Sequence, residues 1–324
     1  MSVRAENRED RRDQARAEAA RPHHRRARSS HPLVVRFWWS RLARCWHHRR
    51  ARSSRYRRPR RIAATAGGGP LALGVSVTWL SAVVLLPLAA LAGIGARGGV
   101  EAFVASVTAP QARAALLLSI AVSAATAAVN AVFGTALAWV LVRQRFRGRG
   151  IVDALVDLPF ALPTIVAGLT LLAVYGPGSP LGVNIAFTRF AIVAALALVT
   201  LPFVVRSVQP VLASLGGEIE EAALTLGASP AQLARRVFLP LLAPAIVSGS
   251  ALAFARAVGE FGSVVIVSGN VPFKTELAPV YILKRVESGD LPGAAGVACV
   301  LLGLSLAVIA MLRFVERRRG VVAA

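Results

Sequence analysis

From residue 71 onward the chain alternates apolar runs of membrane-spanning length with short polar stretches. A helical span needs about 20 largely apolar residues. Six runs meet that length: Leu71–Ile94, Ala114–Val142, Leu155–Tyr175, Phe190–Leu212, Leu241–Ser268 and Ala294–Phe314. The pattern predicts an all-α integral membrane protein of six transmembrane helices. Pro87, Pro159, Pro163 and Pro202 fall inside or beside these runs. Membrane helices tolerate proline where neighbours re-satisfy the freed backbone groups. The second run is dense in small residues, among them Ala121, Ser123, Ala124, Ala125, Thr126, Ala127, Ala128 and Gly134. That density predicts close helix packing and says nothing of function.

Composition agrees: 55% of the 324 residues are hydrophobic, more than a soluble domain carries. The formal net charge of +22 changes the picture only until it is mapped. Residues 1–61 hold 20 arginines against 5 acids, so most of the excess lies in one tail. That tail contains His23-His24-Arg25-Arg26-Ala27-Arg28-Ser29-Ser30 and repeats it as His47-His48-Arg49-Arg50-Ala51-Arg52-Ser53-Ser54. Like charge and low complexity predict a disordered tail over residues 1–66 and a membrane domain over 67–324. Three readings of the tail stand: an extension without a role, a polybasic segment held on anionic lipid with Phe37-Trp38-Trp39 and Trp46 at the surface, and a nucleic-acid or zinc site.

All five histidines lie in the tail, so the apolar region offers none for metal or acid–base work. Cys45 and Cys299 belong to different regions, which argues against a disulfide. The first apolar run starts too far in, and is too long, for a cleavable signal peptide.

Basic residues between the runs give orientation. Arg143, Arg145, Arg147 and Arg149 follow the second run, Arg235 and Arg236 follow the fourth, and Arg313, Arg317, Arg318 and Arg319 close the chain. The alternate loops carry only Arg97, Arg113, Arg189, Lys274, Lys284 and Arg285. Both termini are therefore expected in the cytoplasm, which agrees with an even number of spans.

The loop between the fourth and fifth runs, about residues 213–240, is long for a compact bundle. Glu218-Ile219-Glu220-Glu221-Ala222-Ala223-Leu224-Thr225-Leu226 predicts a short helix with acids in its first turn, where the helix dipole favours them. Gly227 predicts a left-handed C-terminal cap. Ser229-Pro230 predicts an N-cap followed by proline at the first helical position. A second short helix is expected to run to Phe238, with Leu239-Pro240 turning the chain into the fifth span.

This segment resembles the "EAA" loop of the permease subunits of bacterial ABC importers. That pattern is E-A-A, three residues, G, nine residues, I, one residue, L-P. The chain supplies Glu221-Ala222-Ala223, Gly227, Val237 and Leu239-Pro240, with Val for Ile the one departure. The resemblance extends over roughly residues 71–316. Leu158-Pro159-Phe160-Ala161-Leu162-Pro163-Thr164, Leu201-Pro202-Phe203-Val204-Val205-Arg206 and Gly259-Glu260-Phe261-Gly262 are similar to sulfate and molybdate permeases. Asn270-Val271-Pro272-Phe273-Lys274-Thr275-Glu276, followed by Ala278-Pro279, is similar to the sulfate/thiosulfate permeases of CysT type. The tail has no counterpart there.

The resemblance implies a type I ABC importer (MetI-like) bundle in the bacterial inner membrane. It implies that the loop docks on a partner ATPase through Glu221, Ala222, Ala223, Gly227, Val237, Leu239 and Pro240. It also implies the partners: a CysW-like second permease or a second copy of this chain, two ATPase subunits, and an extracytoplasmic sulfate-binding protein. The cargo would be sulfate or thiosulfate, with molybdate or tungstate as the alternative. Selection of the anion would rest mainly with the binding protein.

Three charges inside the spans are candidates for the path. Arg256 and Glu260 stand four residues apart in the fifth run, on one predicted helix face. A mid-membrane charge costs about 2.5–3.5 kcal/mol, so such groups face the bundle interior and are paired. Either they form a gate along the path, with Arg206 as a third member, or they are a buried pair that fixes helix register. Asp153 and Asp157 are expected to complement a helix N-terminus near the Arg143–Arg149 stretch.

The glycine-rich pieces lack the Lys-Ser/Thr of a phosphate-binding loop, so no cofactor is expected on this chain and ATP hydrolysis is expected in a partner. A membrane-embedded enzyme is disfavoured by the lack of histidine in the apolar region, and a secondary transporter has no use for the loop.

Overall fold

The computed structural model describes residues 70–318, and every regular element among them is helical. The basic tail over 1–66, with its histidines, Trp46 and Cys45, lies outside the described residues. Five helices among the described residues are long and apolar enough to cross a membrane, and one bent pair makes a sixth when it is counted as a single span. The six runs of the sequence correspond to these five helices and the bent pair.

The first span, α1 (Leu71–Ala96), contains a π turn at Ser81–Leu85. A short helix, α2 (Gly99–Thr108), leads to α3 (Pro110–Arg143). At about 1.5 Å per residue, the 34 residues of α3 run well beyond a ~30 Å hydrocarbon layer. The bent pair is α4 (Arg149–Ala161) and α5 (Thr164–Tyr175). Then come α6 (Arg189–Ser214), α7 (Gly217–Thr225), α8 (Leu233–Val258), α9 (Gly262–Val267), α10 (Ala278–Glu287) and α11 (Leu291–Arg318).

The centre is a packed trio of α3, α6 and α8. Small residues set its spacing. A Cβ on Gly134 of α3 would stand 3.0 Å from the Val204 side chain, and one on Gly249 of α8 would stand 2.8 Å from the Val204 Cα. Both neighbours therefore close on the same residue of α6, as membrane helices do where lipid gives no hydrophobic drive to associate. Asn130 adds a polar tie, donating from Nδ2 to the Ala197 carbonyl at 3.1 Å and to Thr200 Oγ1 at 2.9 Å. Of the small residues in the second run, Ser123, Thr126, Ala127 and Gly134 are buried in this packing, whereas Ala121, Ala124, Ala125 and Ala128 are exposed.

Two expected spans are broken. The third was expected as one helix, Leu155–Tyr175, but it bends by 116° between α4 and α5. The cause is local: Pro163 disfavours helical geometry at the residue before it, and Leu162 is extended at φ −84°, ψ 134°. The fifth was expected to continue to Ser268, but α8 ends at Val258 and the chain restarts as α9. Here glycine permits close approach. A Cβ on Gly262 would collide with Thr164 Oγ1, and one on Gly168 would stand 2.7 Å from the Ser263 carbonyl. The two breaks are therefore packed against each other, α9 on α5.

Candidate functional site

The 213–240 loop folds as its local sequence requires. The amides of Gly227 and Ala228 donate to the carbonyls of Leu224 (2.9 Å) and Ala223 (3.0 Å), with Gly227 at φ +79°. This is a Schellman cap, and glycine enters its left-handed conformation without strain. Ser229 Oγ accepts from the Gln232 amide at 3.3 Å, while Gln232 Oε1 accepts from the Ser229 amide at 2.8 Å, a reciprocal capping box.

The expected turn at Leu239-Pro240 is absent. The chain runs as helix from Pro230 through a π segment, Leu233–Phe238, directly into the fifth span. The Leu239 amide bonds the Ala234 carbonyl, one residue further back than in an α-helix. A wider turn at this point accommodates Pro240, which lacks an amide to donate.

The loop has two faces. Glu221, Ala222 and Leu224 are exposed, and Leu226 is 89% exposed. Ala223, Leu233, Val237 and Phe238 turn inward and join the core made by α3, α4, α6 and α8. An outer apolar and acidic surface is thus mounted on a rooted inner face. Leu239 and Pro240 are exposed at the foot of the fifth span.

Arg256 and Glu260 do pair, with Nη2 to Oε2 at 2.6 Å, but not along one helix. Glu260 lies beyond the end of α8. Its Oε1 accepts from the Ser263 amide at 3.1 Å and from Ser263 Oγ at 3.2 Å, at the start of α9. Its side chain is 1% exposed. The carboxylate therefore joins the two halves of the broken span and compensates the Arg256 charge.

Arg206 is not placed with them. Nε and Nη2 donate to the two carboxylate oxygens of Asp157 at 2.7 and 2.5 Å, and Nη2 also reaches the Asp153 carbonyl at 3.0 Å. Nη1 donates to Asp153 Oδ1 at 2.7 Å and to Gln209 Oε1 at 2.5 Å. These bonds use all five N–H groups of the guanidinium. Asp153 and Asp157 thus hold α4 to α6 rather than complementing a helix N-terminus. The sequence signal existed: Asp153 at the mouth of the third run, Asp157 just inside it and one arginine in the next run all need partners in a membrane.

At the opposite end, the Asn270–Glu276 segment is a hydrogen-bonded turn. The Val271 carbonyl accepts from the amides of Lys274, Thr275 and Glu276 at 3.0–3.2 Å, and Asn270 and Phe273 take positive φ. Arg189 Nε holds the Lys274 carbonyl at 2.9 Å. Beneath it, Glu276 is buried between Lys284 Nζ at 2.6 Å and Gln111 Nε2 at 2.7 Å. The 270–284 stretch is thus tied to Gln111 of α3 and Arg189 of α6, and although Glu276 belongs to a segment that carries the resemblance, the local sequence does not show that it is buried with these distant partners.

Residues 130–321, from the middle of α3 through the loop to the end of α11, match the family described as "binding-protein-dependent transport system inner membrane component". The chain belongs to this family. It is a multi-pass membrane transport subunit rather than an enzyme, and one component among several of an ABC system. The permease is 41% identical over 260 residues to the sulfate transport system permease protein CysT of Escherichia coli K12, covering 78% of this chain and 94% of that one. It is 44% identical over 250 residues to the protein of the same name in Synechocystis, covering 75% and 87%. It is 45% identical over 252 residues to a probable sulfate transport system permease protein of Nephroselmis olivacea, covering 76% and 89%. The fold is that of a chain in a bacterial alginate ABC transporter crystallised with its periplasmic protein, at TM-score 0.64 and 16% identity, covering 77% and 93%.

Proposed function

We propose that this permease carries sulfate or thiosulfate across the bacterial inner membrane as half of the membrane core of an ATP-driven importer. The observation that carries the reading is similarity above 40% to sulfate permeases along nearly their whole length. The capped 213–240 loop supports the ATP-driven part, and the Asn270–Glu276 segment supports the sulfate branch over molybdate or tungstate. The partners are a second permease of like fold or a second copy, two ATPase subunits and an extracytoplasmic sulfate-binding protein. Both termini and the 213–240 loop lie in the cytoplasm, where the positive-inside rule puts the arginine-rich end.

ATP-driven closure of the ATPases moves the loop through the exposed Glu221, Ala222 and Leu226 surface. Gly227 sets the turn, and Val237, Leu239 and Pro240, in the first turns of α8, pass the motion along that helix. Arg256 and Glu260 join the halves of the broken fifth span and act as a gate as those halves rearrange. Arg206 acts separately, holding the inner half of the broken third span through Asp153 and Asp157. With its donors used by the Asp153 and Asp157 carboxylates, the Asp153 carbonyl and Gln209, this guanidinium offers no grip to a passing dianion, which suits release.

The test is uptake of labelled sulfate in cells lacking their own importer, with this chain expressed beside its partner subunits. Uptake blocked by thiosulfate and indifferent to trace molybdate is the expected result. Inhibition by trace molybdate would move the permease to the molybdate branch, and uptake by this chain alone on an ion gradient would overturn the ABC mechanism.

A further inference from the structure

The loop between α6 and α8 is anchored at both ends by one side chain of a third helix. Arg143, the last residue of α3, donates from Nη2 to the Leu215 carbonyl at 3.0 Å. Leu215 is where α6 stops and the loop begins. The same guanidinium stands 5.3 Å from the ring centroid of Phe238, the last residue of the π segment. Phe238 is 2% exposed and meets Trp139 of α3 edge-on, with centroids 4.8 Å apart and planes at 84°. Arg143 also lies 5.9 Å from the Trp139 ring, and its Nε is buried without a hydrogen-bond partner among the described residues. A guanidinium set beside two aromatic rings, with one N–H given to the carbonyl at the loop's start, is fixed in position and orientation.

Arg143 thus pins the loop at 215 and at 238, 23 residues apart, to the same turn of α3. Between the pins, the Gly217–Thr225 helix and its Schellman turn present the exposed surface. A push on that surface is delivered to α3 as well as to the continuous helix that leads into the fifth span. The π segment fits this arrangement, because the added residue per turn sets the direction of Phe238 relative to the α8 axis.

We propose that Arg143 is the positioning residue through which movement of the loop enters the transmembrane bundle, making the loop and α3 move as one body. This rests on the coupling role proposed above for the loop. Lysine cannot replace it, because an ammonium lacks the plane to lie beside the two rings and the fork that also reaches Leu215.

The test uses the assembled transporter in lipid nanodiscs and proteoliposomes, with Arg143→Lys and Arg143→Met. Arg145→Ala, an exposed neighbour, serves as control. Two quantities are read: backbone amide exchange over residues 216–228, which needs no substrate, and sulfate moved per ATP hydrolysed. In both Arg143 variants, loop exchange is expected to quicken by about ten-fold, and sulfate moved per ATP to fall by about five-fold, with hydrolysis retained. The control changes neither. Loop exchange at the wild-type rate in both variants overturns the proposal. So does a proportional fall of uptake and hydrolysis, which would mark a merely structural residue. If neither Arg143 variant assembles, Phe238→Leu carries the same expectation and the same refutation. Absence of uptake by the wild-type complex would strike the transport reading, while the exchange comparison would still decide the role of Arg143.

Discussion

Replacing Lys284 with Met should destabilise the protein more than replacing its partner Glu276 with Ala. The Glu276 side chain is 1% exposed, and its two oxygens are held by Lys284 Nζ at 2.6 Å and Gln111 Nε2 at 2.7 Å. Lys284→Met leaves a buried carboxylate with one neutral amide, and removing one member of a buried pair costs about 3–5 kcal/mol. Glu276→Ala leaves a lysine that is 41% exposed and still reaches the Asn270 carbonyl at 3.2 Å. That ammonium turns to water, so the cost falls to about 2 kcal/mol, discounted for its exposure. Glu276→Gln keeps the shape, still accepts from Lys284, and bonds Gln111 once that amide turns to present its oxygen, so it costs about 1 kcal/mol.

The assay is thermal unfolding of the detergent-solubilised protein followed by size exclusion. At about 2–4 °C per kcal/mol, Lys284→Met lowers the midpoint by roughly 10 °C and Glu276→Gln by roughly 3 °C. A midpoint for Glu276→Ala at or below that of Lys284→Met would refute the reasoning, because it would mean that the carboxylate is not the buried, dependent partner.

Three other outcomes are expected. Gly249→Ala pushes a Cβ to 2.8 Å from the Val204 backbone and should lower the unfolding midpoint by the equivalent of about 1–3 kcal/mol, whereas Gly259→Ala, with open space around it, should be neutral; equal midpoints would exclude a close α6–α8 crossing. Glu221→Lys should leave insertion and ATP hydrolysis intact while uptake falls by about ten-fold or more, and unchanged uptake would remove the loop from the coupling path. Arg206→Met leaves Asp153 and Asp157 without their cation and should cost roughly 1–2 kcal/mol after allowance for half-exposure, whereas Asp157→Asn should be milder because Asp153 and Gln209 still hold the guanidinium. Equal losses in midpoint and uptake for the two variants would refute that division.

Much of this protein is legible in its sequence where the cause is local. The six apolar runs mark the spans because lipid demands about 20 apolar residues per crossing whatever the neighbours do. Gly227 and Ser229 shape the loop because a left-handed cap and a capping box are satisfied within five residues. Pro163 likewise carries the break of the third span in its own ring, although the 116° angle does not follow from the proline.

Tertiary structure decided the partners. Charges inside the spans announce that they need partners without naming them. Arg206 meets Asp153 and Asp157 some 50 residues away because α4 packs on α6, and Glu276 meets Gln111 because α10 comes to rest on α3. Arg143 reads in the sequence as one of a run of surface arginines. Only the packing of α3 beside both ends of the loop gives it Leu215 and Phe238, since helix rotation and crossing are set by the summed contacts of whole faces and not by any short stretch of chain.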